Sequence, residues 1–123
     1  MVLLPTVMAV GNVTNMKATL MVRQRVVLSD SLFSEVVVWQ LPEPLPGSAH
    51  CFKYRLALVS DGQCVLRYDN EAGKGNHKHI GDVEVPYTYQ GLEALLSDFA
   101  LDIRSWRQLC EQSLSASPHS TKP

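Results

Sequence analysis

The sequence predicts an α+β fold, an antiparallel β-sheet of about four strands with a long C-terminal amphipathic helix packed on one face. Three observations carry this expectation. The runs 18–28 and 33–41 are rich in alternating or β-branched residues, Ser60-Asp61-Gly62 separates two further β-rich runs, and apolar residues recur at helical spacing from Leu92 to Cys110. A chain of 123 residues suits one layer pair around one core. With 46% hydrophobic and 19% charged residues it reads as globular rather than disordered. The formal net charge of -1 excludes whole-molecule attraction to nucleic acid but not a locally basic face.

The elements follow in order. Met1 to Val13 is apolar, yet no Lys or Arg precedes it and Pro5 interrupts it, so it is a poor export signal. Nothing in the chain approaches the ~20 apolar residues of a membrane helix. Met16-Lys17-Ala18 opens the first well-patterned segment, which makes 1–15 an N-terminal extension and Met16 a candidate natural start. In the first strand Ala18, Leu20, Val22, Val26 and Leu28 share one side and Thr19, Arg23 and Arg25 the other, with Met21 and Val27 blurring the pattern. Ser29-Asp30-Ser31 is a turn, and Phe33 to Leu41 is a second strand.

Pro42, Pro44 and Pro46 cannot continue a ladder and form a stiff connector within the domain. Phe52–Val59 and Gln63–Asn70 make a hairpin. Gly73, Gly75 and Gly81 break the next stretch into loop with at most a short strand. After Pro86, Leu92, Leu95, Leu96, Phe99, Ile103, Trp106 and Cys110 form the apolar face of the helix, with Gly91 as N-cap. The single domain spans 16–114, and the polar, aperiodic residues 115–123 are expected to be a flexible tail. Cys51, Cys64 and Cys110 are an odd set without CxxC spacing, so they are expected to be buried reduced thiols in a cytoplasmic protein.

If Val59 faces Gln63 in the hairpin, Arg55 faces Arg67 and Lys53 faces Asp69. Two facing arginines repel, and an anion such as phosphate between them would relieve that repulsion. Phe52, Tyr54, Leu56, Leu58, Cys64, Leu66 and Tyr68 then point to the core. Arg23 and Arg25 extend the cationic face if the first strand pairs nearby. Lys74 and Lys78 add charge near the loop, and Gly73-Lys74-Gly75 could present free backbone N–H groups to an anion. A merely solvated strand face explains the same charges.

His77 and His79 project to one side of a strand, and three roles stay open. With Arg67 beside them they suit acid–base cleavage of RNA through the 2′-hydroxyl without metal or cofactor. With Asp69 they form a three-ligand metal set with an open position. The third role is hydrogen bonding to the backbone of a polar loop, and turn capping is the structural alternative for Asp69-Asn70.

The segment KYRLALVSDGQCVLRYDNEAGKGNHKHIGD, the following PYTY and the helix LEALLSDFALDI resemble the TumE-like toxins of bacterial and archaeal toxin–antitoxin pairs. The resemblance covers roughly 16–104, and its most specific block matches at Arg67, Asp69, Asn70, Gly73, Gly75, His77 and His79. It implies a toxin neutralised by a cognate helix-turn-helix antitoxin; with the convergent cationic and titratable residues above, the expectation is action on RNA to inhibit translation, as a metal-independent ribonuclease. His77, His79, Asp69 and Arg67 are then the catalytic candidates, and Lys53, Arg55, Lys74, Lys78, Arg23 and Arg25 the nucleic-acid-binding ones. Self-association stays open. In the family an acidic residue or His often precedes the first histidine; this chain has Asn76, which cannot act as a base. The rival readings are a non-enzymatic nucleic-acid- or protein-binding module and a degenerate toxin that only binds its antitoxin.

Overall fold

The structure, a computed structural model, describes residues 7–10 and 13–116. The chain divides into two compact units, Met1–Thr88 and Tyr89–Pro123. The first is a seven-stranded antiparallel meander in chain order: β1 (Val7–Val10), β2 (Val13–Ser29), β3 (Leu32–Gln40), β4 (Phe52–Ser60), β5 (Gln63–Glu71), β6 (Gly75–Ile80) and β7 (Val83–Pro86). The second contains the helix α1 (Leu92–Ala116). The α+β class and the C-terminal helix are as expected, whereas about four strands was too few.

Two of the extra strands, β6 and β7, form a hairpin through Gly81-Asp82. Gly81 alone of that pair has positive φ, at 60°, which suits a type II′ turn. The glycines made this stretch read as loop, although they only punctuate it. Regular structure also begins earlier than expected, since Val7–Val10 and the start of β2 precede residue 16. Residues 1–6 and 11–12 of the expected extension, and 117–123 of the expected tail, lie outside the described residues.

The predicted hairpin is present, with Asp61 (φ 51°) and Gly62 (φ 79°) supplying the left-handed pair that a type I′ turn requires. Its register differs from the expectation. Ser60 pairs with Gln63 and Val59 with Cys64, but Leu58 pairs with Leu66, so Val65 is an extra residue, a β-bulge. Beyond the bulge Arg55 faces Asp69 and Ala57 faces Arg67. No arginine pair needs an anion to hold it together.

The bulge also turns Cys64 away from the core. Cys64 is exposed and Cys51 and Cys110 are half-buried, so all three are free thiols but none is buried as expected. A second shift in β2 between Leu20 and Val22 falls at Met21, the residue that blurred its alternation.

One sheet face is apolar and closed to solvent, with Val36, Val38, Tyr54, Leu56, Leu58, Leu66 and Tyr68 buried. Its register partners are in step, as Val36 faces Leu56, Val38 faces Tyr54 and Leu56 faces Tyr68. The proline connector folds back beside this sheet: Leu41 N–H donates to the Cys51 carbonyl at 2.7 Å, and Leu41 and Leu45 are buried with Ala18. In the helix unit, Leu95 and Phe99 of the predicted apolar face are buried. The Gly91 carbonyl accepts the first helical hydrogen bond, from Leu95 N–H at 3.0 Å, as its N-cap position requires. No helix among the described residues is long and apolar enough to cross a membrane.

Asn70 joins β4 to β5 where their backbone pairing ends. It is only 1% exposed; its Oδ1 accepts from Tyr54 N–H at 3.0 Å and its Nδ2 donates to the Phe52 carbonyl at 2.8 Å. The side-chain amide thus replaces a peptide group in the ladder. Asn70→Ala orphans both backbone groups and is expected to lower the unfolding free energy by about 2–4 kcal/mol. An unchanged urea midpoint would show that the amide bridge contributes nothing.

Candidate functional site

The opposite sheet face carries the polar groups, and strand register arranges them in two rows. One row runs Arg23, Val37, Arg55, Asp69, His77 and Pro86 across β2 to β7. The next runs Arg25, Glu35, Ala57, Arg67, His79 and Glu84. Neighbouring strands lie about 4.8 Å apart, so the arginines of β2 stand roughly 19 Å from the histidines of β6.

The β5–β6 connection creates the centre of this pattern. Gly73 (φ 82°) and Gly75 (φ 80°) take left-handed conformations that other residues adopt at a cost, which permits a tight return with Glu71 opposite Gly75. Asp69 then faces His77, and Arg67 faces His79.

His77 is buried, at 4% exposure, and its Nδ1 lies 3.2 Å from the Gly75 carbonyl oxygen. Its Nε2 is 2.8 Å from Asp69 Oδ1 and 3.7 Å from Glu84 Oε2. Arg67 Nε lies 3.1 Å from Asp69 Oδ2. These are close charge contacts, but their angles do not make hydrogen bonds: Arg67 Nε, Asp69 Oδ1 and also His79 Nε2 are buried without a hydrogen-bond partner. The His77 and His79 rings meet edge to face, 5.1 Å between centroids. Donor atoms of Asp69, His77 and His79 all fall within 4.8 Å of one another. The strand reading of His77 and His79 is therefore correct, and Asp69 and Arg67 join them.

The other candidates are placed differently. Arg23 and Arg55 are exposed on the same face and make no ion pair among the described residues. Arg25 pairs with Glu35 at 3.1 Å and stacks its guanidinium over Phe33. Lys53 donates to the Asn70 carbonyl at 3.2 Å. Lys78 sits on the opposite sheet face, its ammonium 5.4 Å from the centre of the Tyr68 ring. Lys74 lies 3.2 Å from Glu84 and 3.8 Å from Glu71.

The Gly73-Lys74-Gly75 loop does not offer the expected free N–H cradle. Gly73 N–H donates to the Pro46 carbonyl at 2.7 Å and Lys74 N–H to that of Glu71 at 3.1 Å. Asn76 also stands apart, because it shares the other face with Lys78. Its Oδ1 accepts from the Tyr54 hydroxyl at 2.8 Å and lies 3.0 Å from His50 Nε2. The identity of this residue thus bears on the support of β6 rather than on the histidine cluster.

Glu84 is the participant that sequence reading missed. Asp82-Val83-Glu84-Val85 alternates as a short strand should, and a Gly-Asp turn precedes it, so the signal was a second hairpin.

A family model described as toxin TumE matches residues 9–107. The chain belongs to the toxin TumE family. It is accordingly a toxin of a toxin–antitoxin system, with an antitoxin as partner. None of the curated proteins and none of the solved structures compared with it matches. The matched span of the TumE model includes both polar rows and most of α1.

Lys74, bonded to the Glu84 carboxylate, holds that group below its ordinary value of 4.5; desolvation opposes this, and the charges of Lys74, His77 and His79 add to it. The folded-state pKa is depressed, so the stabilising contribution is complete above the ordinary value and fades as pH falls through the lowered one. Solvent screening keeps the effect small. Glu84→Gln is expected to lose less melting temperature than the parent between about pH 6 and about pH 3. Parallel thermal melts check this, and a larger loss in the variant contradicts it.

Proposed function

We propose that this toxin acts on RNA as a ribonuclease that stops translation, with Asp69, His77 and His79 as its reactive centre. The observation that supports this best is the row pattern, in which exposed Arg23 and Arg55 lead across the sheet to a half-buried carboxylate–imidazole cluster. A polyanionic strand laid along the rows meets cations first and the cluster last. Arg67 lies against Asp69 through Nε, and its fork of further N–H groups suits a phosphate.

A metal-independent mechanism needs two imidazoles free to exchange protons. His77 does not suit that task, since its Nδ1 is committed to Gly75 and its Nε2 is held against Asp69. The cluster acts as a unit on the attacking oxygen. The antitoxin is taken to be a helix-turn-helix protein, as the family resemblance implies.

Purified toxin incubated with RNA tests the reading. Asp69→Asn and His79→Ala are expected to reduce cleavage by about 100-fold or more. Arg55→Ala is expected to weaken RNA binding and flatten its salt dependence. Full activity in both cluster variants would overturn the assignment of the centre. RNA that is bound but never cut would reduce the protein to a binding module.

A further inference from the structure

We infer that Asp69, His77 and His79 form a binding site for a divalent transition-metal ion of the zinc class. The site itself stands on side-chain geometry, whereas its part in catalysis rests on the RNA reading above.

The contact between His77 and Asp69 carries the first step. His77 Nε2 lies 2.8 Å from Asp69 Oδ1, and Nδ1 of the same ring lies 3.2 Å from the Gly75 carbonyl oxygen. That carbonyl can only accept, so the tautomer with its proton on Nδ1 turns the Nε2 lone pair towards the carboxylate. Asp69 Oδ1 makes no hydrogen bond in its present geometry. A cation shared by the two atoms would bind both.

The remaining donors point the same way. His79 Nε2 is buried without a hydrogen-bond partner, an expensive state for a polar atom in a native fold. One ring nitrogen of His79 belongs to the same set of donor atoms, mutually within 4.8 Å. Metal–ligand bonds of ~2 Å place adjacent donors roughly 3 Å apart. Asp69 and His77 already stand at that separation, and His79 lies within 4.8 Å of both.

The surroundings supply what ligands need. The Gly75 carbonyl lies 3.2 Å from His77 Nδ1 and leaves Nε2 towards Asp69, and Arg67 lies against the second carboxylate oxygen of Asp69. Cross-strand pairing of β5 with β6 holds two ligands in register, and the third lies two residues along β6.

Two imidazoles and one carboxylate favour a zinc-class ion over magnesium, which prefers oxygen ligands throughout. Three protein ligands leave a coordination position open, the arrangement of catalytic rather than structural sites. An ion there would supply Lewis acidity towards a phosphate oxygen and a water activated near neutral pH.

The test titrates metal-stripped full-length protein with Zn²⁺ alone by calorimetry, and with Co²⁺ by absorption. One equivalent is expected to bind, with visible Co²⁺ bands and without the near-ultraviolet bands of thiolate ligation from Cys51, Cys64 or Cys110. Asp69→Asn and His79→Ala, chosen because both residues are less buried than His77, are expected to weaken binding by at least about 10-fold. Circular dichroism verifies that each variant is folded. No bound equivalent, thiolate bands, or unchanged affinity in both folded variants would overturn the site. RNA cleavage that persists after chelation, in protein that binds no metal, rejects the site and keeps the RNA reading. Metal binding in a protein that leaves RNA intact keeps the site and rejects that reading.

Discussion

A strand shows alternate side chains on each face, so the register of β5 against β6 decides which polar groups can meet. Asp69 opposite His77 and Arg67 opposite His79 gather a carboxylate, a guanidinium and two imidazoles on one face. A slip of one residue would turn the whole set to the other side. The left-handed Gly73 and Gly75 make this register available, and the hydrogen bond from Gly73 to Pro46 ties the loop to the proline connector. The connector thus stabilises the return between the two strands that carry the cluster.

The apolar face pins the same register from behind. Leu56, Tyr68 and Lys78 are consecutive cross-strand neighbours, and the edge contact of Tyr68 with Tyr87, 5.0 Å between ring centres, extends that packing. Asn70 and Asn76, opposite each other, spend their amides on β4, the first on its backbone and the second on the Tyr54 hydroxyl. These asparagines are supporting groups, so the polar residues between Arg67 and His79 divide by sheet face into a cluster and its scaffold. Arg67 Nε, Asp69 Oδ1 and His79 Nε2 in this cluster are buried without a hydrogen-bond partner, whereas the asparagines of the scaffold are satisfied.

Membership of the toxin TumE family and the two polar rows concern different levels of description. The family states what kind of system the protein belongs to. The rows state what the surface carries: exposed Arg23 and Arg55 on the same face as a half-buried carboxylate with two imidazoles. Lys74 of the loop is neutralised by Glu84 and Glu71 and differs in this from Arg23 and Arg55, which make no ion pair among the described residues.

By itself the sequence determined the strand runs from β2 to β5, the turn at Asp61-Gly62, the helix face from Leu92 to Cys110, and the shared side of His77 and His79. Each is a property of residues close along the chain: a period of two, a period near 3.6, or a dipeptide that tolerates positive φ. Tertiary pairing alone decided that Arg55 faces Asp69 rather than Arg67: the two-residue turn pairs Ser60 with Gln63, which moves the register by one, and the bulge at Val65 moves it by one more. It also exposed Cys64, moved Lys78 and Asn76 away from the histidines, and brought Glu84 to them through a hairpin hidden among glycines. Local periodicity says which face a side chain takes. Its partner across the sheet is set by turn geometry and bulges, and those depend on what the strands can bury together.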